Sequence, residues 1–341
     1  MVNALSVTPQ MAGVRVFLAN LIRELAVQVE EPARIQILCT EENLQALPLP
    51  AGVQTLSVGE RRGSRVRRVI SEIFLTRRWI GDASRTVLLS PSAAASAFVR
   101  APQIVVIQSS LMLPSVRAQL SSVEIPGSIV TRLGHSFLLH WSLRKARAVI
   151  AVSNFVAREI VASFPFAEPK LAVVYEGVDR RVFSGPSVAA VGADSPYLLL
   201  VGTLYRYKNV DRAIEALAHL RGAADVPPDL RLKVVGKDPD GRQRARLLAV
   251  ASDVGVGSSI DLVGPVDQRT VRSLYWGAAA LVFPSRIESF GLPVLEAMSA
   301  GTPVVCSNRG ALPEVAGEAA EVVDCDHDAQ ELAQAVRRVM T

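Results

Sequence analysis

Short runs of β-branched and aliphatic residues alternate along the whole chain with longer stretches whose apolar positions recur every three or four residues. The first kind predicts strands and the second amphipathic helices, because side chains alternate faces in a strand and return to one face after a helical turn. In the first half the pattern predicts strands near 2–7, 34–39, 86–90, 103–107, 147–152 and 171–174, with helices near 13–28, 64–79, 126–145 and 153–163. From Glu176 to Pro196 the period is lost among Gly177, Gly185, Pro186, Gly192 and Pro196, which predicts a linker at about 176–196. A second series follows, with strands at 197–201, 231–235, 260–263, 279–283 and 303–306 and helices at 209–221, 241–254, 268–276, 292–300 and 327–339. Strands and helices taking turns over this length predict parallel sheets with crossover helices: two Rossmann-like, doubly wound α/β domains, 1–180 and 195–341, with a cleft between them. In such sheets ligands lie beyond the carboxyl ends of the strands, so the strand-to-helix loops are where chemistry is to be sought.

Composition narrows the classes. Half of the 341 residues are hydrophobic and only 20% are charged, which excludes a largely disordered chain. Cys39, Cys306 and Cys325 are an odd number without metal-ligand spacing, so neither a disulfide framework nor a zinc site is predicted, and a reducing cytoplasm fits. The amino terminus has no leader-like pattern and no apolar run reaches the ~20 residues of a membrane span. The net charge of +5 is uneven: residues 1–180 hold 20 basic and 13 acidic side chains, residues 181–341 hold 17 and 19. Seven arginines crowd positions 61 to 78, while Val66, Val69, Ile70, Ile73 and Phe74 share one helical face. That pattern suits an anionic lipid surface and equally an ordinary helix with solvated arginines. Nucleic acid is disfavoured, since no aromatic residues interleave the arginines.

Two loop segments carry the candidate chemistry. The first is Phe283-Pro-Ser-Arg-Ile-Glu288-Ser-Phe290-Gly291-Leu292-Pro293-Val-Leu-Glu296, closed by Gly301-Thr-Pro303. Pro293 suits a first helical position and Gly301 a stop, so 292–300 is a short helix whose opening N–H groups and positive dipole end suit a phosphate. Glu288 precedes that end and Glu296 lies about a turn inside it, placed to accept hydrogen bonds from sugar hydroxyls. The second is Val201-Gly202-Thr203-Leu204-Tyr205-Arg206-Tyr207-Lys208-Asn209, whose cations can neutralise a diphosphate as it leaves. Asp238-Pro-Asp240 and Asp324-Cys-Asp326-His327-Asp328 have the look of metal clusters, but each reads as well as a turn or helix cap.

Together these segments resemble the retaining glycosyltransferases of family 4, glycosyl transferases group 1, which have the GT-B fold of two Rossmann-like domains. Glu288 and Glu296 match the family's E-x7-E pattern, in which the first glutamate approaches the donor sugar and the second the ribose. Lys208 matches its diphosphate-binding lysine, with Arg206 a displaced candidate for the arginine partner, because Thr203 and Tyr207 stand at the usual arginine positions. Thr8-Pro-Gln-Met-Ala-Gly13 stands where the family has a glycine-rich loop, with Gly13 its only glycine. Gln108-Ser109 stands where many members have His-Asp.

The resemblance implies a retaining hexosyltransferase that needs no metal or cofactor, takes a nucleoside diphosphate sugar as co-substrate, and transfers to a glycan or lipid-linked hydroxyl acceptor. Cell-surface polysaccharide or glycolipid synthesis, in the cytoplasm or peripherally on the inner face of the cell membrane, is the implied setting. Glu288, Lys208 and Arg206 would be catalytic. Phe290, Gly291, Leu292, Glu296, Gly202 and Gly13 would bind the donor, and Gln108 would lie on the acceptor side. Gln108 and the lone Gly13 also suit a non-catalytic GT-B protein that binds a nucleotide sugar or supports a partner enzyme, and a sugar-nucleotide epimerase shares the architecture.

Overall fold

The structure, a computed structural model, describes residues 1–5, 12–47, 49–58, 73–74, 76–121, 124, 128–183, 195–326 and 328–340. It divides into two compact units: Met1–Gln119 with Gly127–Gly177, and Leu120–Pro126 with Val178–Thr341.

The first unit holds a seven-stranded, all-parallel sheet. Its strands are β1 (Val2–Asn3), β2 (Gln36–Cys39), β3 (Gln54–Ser57), β4 (Leu88–Ser90), β5 (Gln103–Ile107), β6 (Ala148–Ala151) and β7 (Leu171–Val173), in the order β3-β2-β1-β4-β5-β6-β7. Helix α1 (Ala12–Gln28) packs Leu18 and Ile22 against Val2 and Ile37. Between β2 and β3 lies α2 (Glu41–Ala46), and after β5 the short α3 (Pro114–Arg117). Helix α4 (Ile129–Lys145) opens on Ser128, whose hydroxyl accepts from the Thr131 N–H at 3.3 Å. Helix α5 (Asn154–Ser163) opens on Ser153 in the same manner, with the Val156 N–H at 3.1 Å. Side-chain oxygens at these positions take up N–H groups that no helical carbonyl can reach.

A helix predicted over 64–79 is not continuous at its described end, where Thr76–Trp79 winds as a 3-10 turn. Thr76 is buried and accepts from the Asn3 amide at 3.1 Å, while Arg77 and Arg78 are exposed. The expected basic face over 61–72 lies outside the described residues, as do the Thr8 segment and most of the linker.

The second unit holds β8 (Tyr197–Val201), β9 (Arg231–Val235), β10 (Ile260–Gly264), β11 (Ala280–Phe283), β12 (Val304–Ser307) and β13 (Glu321–Val323), all parallel, in the order β10-β9-β8-β11-β12-β13. The crossovers include α7 (Val210–Leu220), α8 (Gln243–Asp253), α9 (Gln268–Gly277), α10 (Leu292–Ala300), α11 (Leu312–Ala316) and α12 (Ala329–Met340), and the four-residue α6 (Arg180–Phe183) leads into the unit. Helices cover both sheet faces, so a strand must be apolar on both sides, and β8 reads Tyr-Leu-Leu-Leu-Val for that reason. Leu198 and Leu200 pack with Ile214, Leu217 and Leu332, while Tyr197 and Leu199 pack on the other face with Phe183, Tyr275 and Val294. Phe183 thus anchors α6 in the second unit's core.

Candidate active site

The strand order fixes the location. In the second sheet the chain winds outward from β8 through β9 to β10, then returns to β11 and winds the other way. Loops leaving β8 and β11 therefore diverge to opposite faces and open a crevice at the strands' carboxyl ends, the usual ligand position in such sheets. The loop after β8 is 202–209 and the loop after β11 is 284–291. They are the two segments that carry the candidate chemistry in the sequence, and a hydrogen bond from the Arg286 N–H to the Tyr207 carbonyl at 2.8 Å ties them together.

At this junction Lys208 and Glu288 form an ion pair, both side chains 12% exposed. Arg206–Lys208 is a 3-10 turn that ends on Asn209 in the left-handed conformation. Asn209 is buried, and its amide donates to the Cys325 carbonyl at 3.3 Å, which fixes the turn from behind. The Lys208 ammonium also lies 5.1 Å from the Phe283 ring and 5.5 Å from the Tyr207 ring, so its charge is held over aromatic faces. Tyr207 stacks on Tyr205, and burial, then the neighbouring Glu288 charge, push its hydroxyl pKa far above the ordinary value.

Helix α10 begins at Leu292 with Gly291 as its cap, so Pro293 is the second helical residue. Proline brings no N–H, and the opening turn offers the N–H groups of Gly291 and Leu292 as its anion donors. Gly291 has φ +107°, and a Cβ there would lie 2.7 Å from Leu312 Cδ2. Only glycine both adopts that backbone and leaves room for α11.

Glu296 projects from the second turn of α10, and one carboxylate oxygen accepts from the Tyr275 hydroxyl at 2.9 Å. Burial raises its pKa from 4.5 to about 7, against the opposing effect of the tyrosine's hydrogen bond. Tyr275 is fully buried and its own pKa is pushed well above the usual value, first by burial and then by the Glu296 charge. A half-buried carboxyl that titrates near neutrality can exchange hydrogen bonds with hydroxyl groups in either protonation state.

A third loop, after β12, completes the wall, and sequence reasoning passes over it. Gly310, at φ +63°, comes so close to Glu288 that a Cβ would stand 2.5 Å from its carbonyl oxygen and 2.6 Å from its nitrogen. The Ala311 N–H donates to the same carbonyl at 3.0 Å. The signal is present in Asn308-Arg309-Gly310-Ala-Leu-Pro313, a glycine and a proline directly after an apolar strand. Two arginines flank Glu288 in a chain of ion pairs. Arg286 meets Glu124 at 2.6 Å and Asp326 at 3.1 Å, and Arg309 meets Asp326 at 2.9 Å and Asp324 at 3.5 Å. Burial opposes ionisation of Glu124, yet hydrogen bonds from Ser121 and Arg286 hold its carboxyl below the ordinary range.

The structure therefore brings together Lys208, Glu288, Phe290, Gly291, Leu292 and Glu296 at one end of the second sheet, with Gly202 directly after β8, where an added Cβ would meet the Lys208 side chain at 3.5 Å. Arg206 is exposed and forms no ion pair among the described residues; Arg286 and Arg309 are the arginines engaged beside Glu288. Gly13 and Gln108 belong to the first unit. Gly13 is exposed near the start of α1 with open space where a Cβ would be. Gln108 follows β5, and its amide nitrogen is buried without a hydrogen-bond partner among the described residues. Asp238 accepts the Gly241 and Arg244 N–H groups at 3.0 and 2.9 Å, and Asp328 accepts the Gln330 N–H at 2.7 Å, so both act as turn and helix-start caps.

Two parallel doubly wound sheets with this strand order are the GT-B arrangement. A solved structure of Anabaena HepE in complex with UDP and glucose superposes with a TM-score of 0.68 over 96% of this chain and 86% of its own, at 17% identity. Sucrose-phosphate synthase from Thermosynechococcus elongatus gives 0.67 over 93% and 84%, at 19% identity. The chain belongs to glycosyltransferase family 4: residues 11–182 match the family described as Glycosyltransferase Family 4, and residues 188–341 match Glycosyl transferases group 1. O-antigen chain mannosyltransferase B of Escherichia coli is 32% identical over 54% of this chain and 50% of its own length. Glycogen synthase of Mycobacterium tuberculosis (strain H37Rv) is 34% identical over 59% and 47%. The matched part spans about half the length of these curated relatives.

Proposed function

We propose that the chain is a retaining, metal-independent hexosyltransferase that binds a nucleoside diphosphate sugar in its second unit and transfers the sugar to a hydroxyl of a glycan or lipid-linked acceptor. The observation that carries this is the Lys208–Glu288 pair, set at the strand-order switch beside the opening turn of α10. Lys208 and the Gly291 and Leu292 N–H groups would hold the diphosphate, and they gain most as negative charge grows on it during departure. Incoming phosphate would draw Lys208 away from Glu288, leaving that carboxylate to orient the sugar hydroxyls. Glu296 would hold the ribose. The anomeric carbon's bond to the phosphate oxygen breaks, its bond to the acceptor oxygen forms on the same face, and the acceptor's proton passes to the leaving phosphate, so no side-chain base is required.

Relatives that build O-antigen chains and glycogen support a surface-glycan or storage-polymer acceptor. A peripheral place at an anionic membrane is supported by α4, which exposes Ile129, Val130, Leu133 and Phe137 and contains Arg132, Arg144 and Lys145 but no carboxylate. No helix among the described residues is long and apolar enough to cross a membrane.

Thermal-shift measurement with UDP-glucose, GDP-mannose and ADP-glucose, followed by product analysis with hydroxyl acceptors in the presence and absence of EDTA, tests the proposal. Stabilisation by a donor, transfer with retained anomeric configuration and insensitivity to EDTA are expected. Failure of every donor to bind would remove it. Gln108, standing where many family members have a histidine, and the lone Gly13 favour a second outcome, a donor bound but never transferred. Release of an epimerised sugar in place of a transfer product would identify an epimerase.

A further inference from the structure

The segment Leu120–Pro126 belongs to the second unit although the chain on both sides of it belongs to the first. Its contribution to the site is Glu124, only 7% exposed. One carboxylate oxygen accepts from the Ser121 N–H at 2.9 Å and hydroxyl at 2.6 Å, and the other accepts from Arg286 Nη1 at 2.6 Å. Arg286 sits two residues before Glu288, its own N–H is bonded to the Tyr207 carbonyl, and Tyr207 precedes Lys208. From Arg286 the ion pairs run on through Asp326 to Arg309, whose neighbour Gly310 abuts the Glu288 backbone. A buried carboxylate with every contact satisfied, aimed at an arginine between the two reactive loops, is far more than a surface ion pair of this kind requires.

We propose that Glu124 is a positioning residue of the donor site: acting through Arg286, it fixes the loop after β11 so that Glu288 meets the sugar of a bound sugar nucleotide. Its role is to align Glu288, not to touch the donor. Loss of the Glu124 charge frees Arg286 to swing toward Asp326 alone, and the loop loses its tie to the 120–126 segment. This depends on the donor site proposed above, and the test separates the two.

Calorimetry on the full chain would compare UDP with UDP-glucose, GDP with GDP-mannose and ADP with ADP-glucose, for wild type, Glu124→Gln, Glu288→Ala and the double variant. For wild type, failure to bind any of the six overturns the donor site itself. If a pair binds, Glu124→Gln is expected to weaken the sugar nucleotide roughly fivefold, the scale of a charge-assisted hydrogen bond in a partly exposed pair, with the bare nucleotide little changed. A merely structural loss would lower both affinities together, and that result overturns the proposal. In the Glu288→Ala background the added Glu124→Gln change should have no further effect on the ratio, because the side chain being positioned is gone. An undiminished effect there also overturns it. If Glu124→Gln fails to fold, Ser121→Ala, which removes the 2.6 Å hydroxyl contact and keeps both charges, carries the same comparison with a smaller shift in the same ratio.

Discussion

Replacing Glu296 by glutamine should make the protein more stable and worse at binding nucleotide, and the gain in stability should depend on pH. Burial raises the Glu296 pKa from 4.5 to about 7. Between those values the folded state holds a proton that the unfolded state has released, so stability falls as pH rises through the window. Below about 4.5 the residue is neutral in both states and costs nothing, and above about 7 the full cost is present. At about 1.4 kcal/mol per pH unit, the distance from 4.5 to about 7 amounts to a destabilisation on the order of 3 kcal/mol near pH 8. Glutamine keeps an oxygen for the Tyr275 hydroxyl and brings no charge, so Glu296→Gln removes the cost while conserving the contact. In a unit of this size that is a rise of roughly 6–12 °C in the melting temperature at pH 8, shrinking toward zero at pH 4.5. The assay is a pair of melting curves across pH 4.5–8.5 with the wild-type values subtracted, which cancels all other titrating groups. Nucleotide affinity measured at pH 8 should move the other way if, as proposed, this carboxylate holds the ribose. A stability gain that is absent at pH 8, or equally large at pH 4.5, would refute the account of Glu296 as a buried charge kept for function.

Lys208→Met should weaken binding of a nucleoside diphosphate sugar by roughly tenfold or more, read by calorimetry, if its ammonium holds the diphosphate as proposed; unchanged affinity would exclude it from the diphosphate site. Gly310→Ala should cost roughly 1–3 kcal/mol in denaturant unfolding, since its Cβ would strike the Glu288 backbone at 2.5–2.6 Å at a φ of +63°, and donor binding should fall with it. An alanine tolerated without loss in either measurement would show that the loop after β12 yields freely. Gln108→Ala should slow transfer without abolishing it, and complete loss in a rate assay would assign the amide an essential part.

The inner strands of both sheets are legible in the sequence because they are covered on two faces and so are mostly apolar, as in Gln103–Ile107, Tyr197–Val201 and Ala280–Phe283. Of the edge strands, Leu171–Val173 and Ile260–Gly264 are legible too, and the other two are not. Gln54–Ser57 is largely exposed and its residues are mostly polar, and Glu321–Val323 is three residues long, so neither leaves a periodic trace. The same holds for α2 and α11, at six and five residues too short to show a helical face. At the site, the loops after β8 and β11 are readable because glycine, proline and charge stand directly after an apolar run, a coincidence that local pattern detects. Arg286 and Glu124 are not readable, since 162 residues separate them and neither carries a local signature. Arg206, the displaced candidate for the family's arginine, lies on the 3-10 turn with its side chain exposed, while the arginines held in ion pairs, which no local pattern marks, come from the loops after β11 and β12. Unit boundaries follow the same logic. Phe183 and Glu124 both belong to the second unit although they precede the expected domain start at 195, one through core packing and the other through an ion pair. What the chain order separates, burial and charge reunite, and the candidate site is built from both kinds of neighbour.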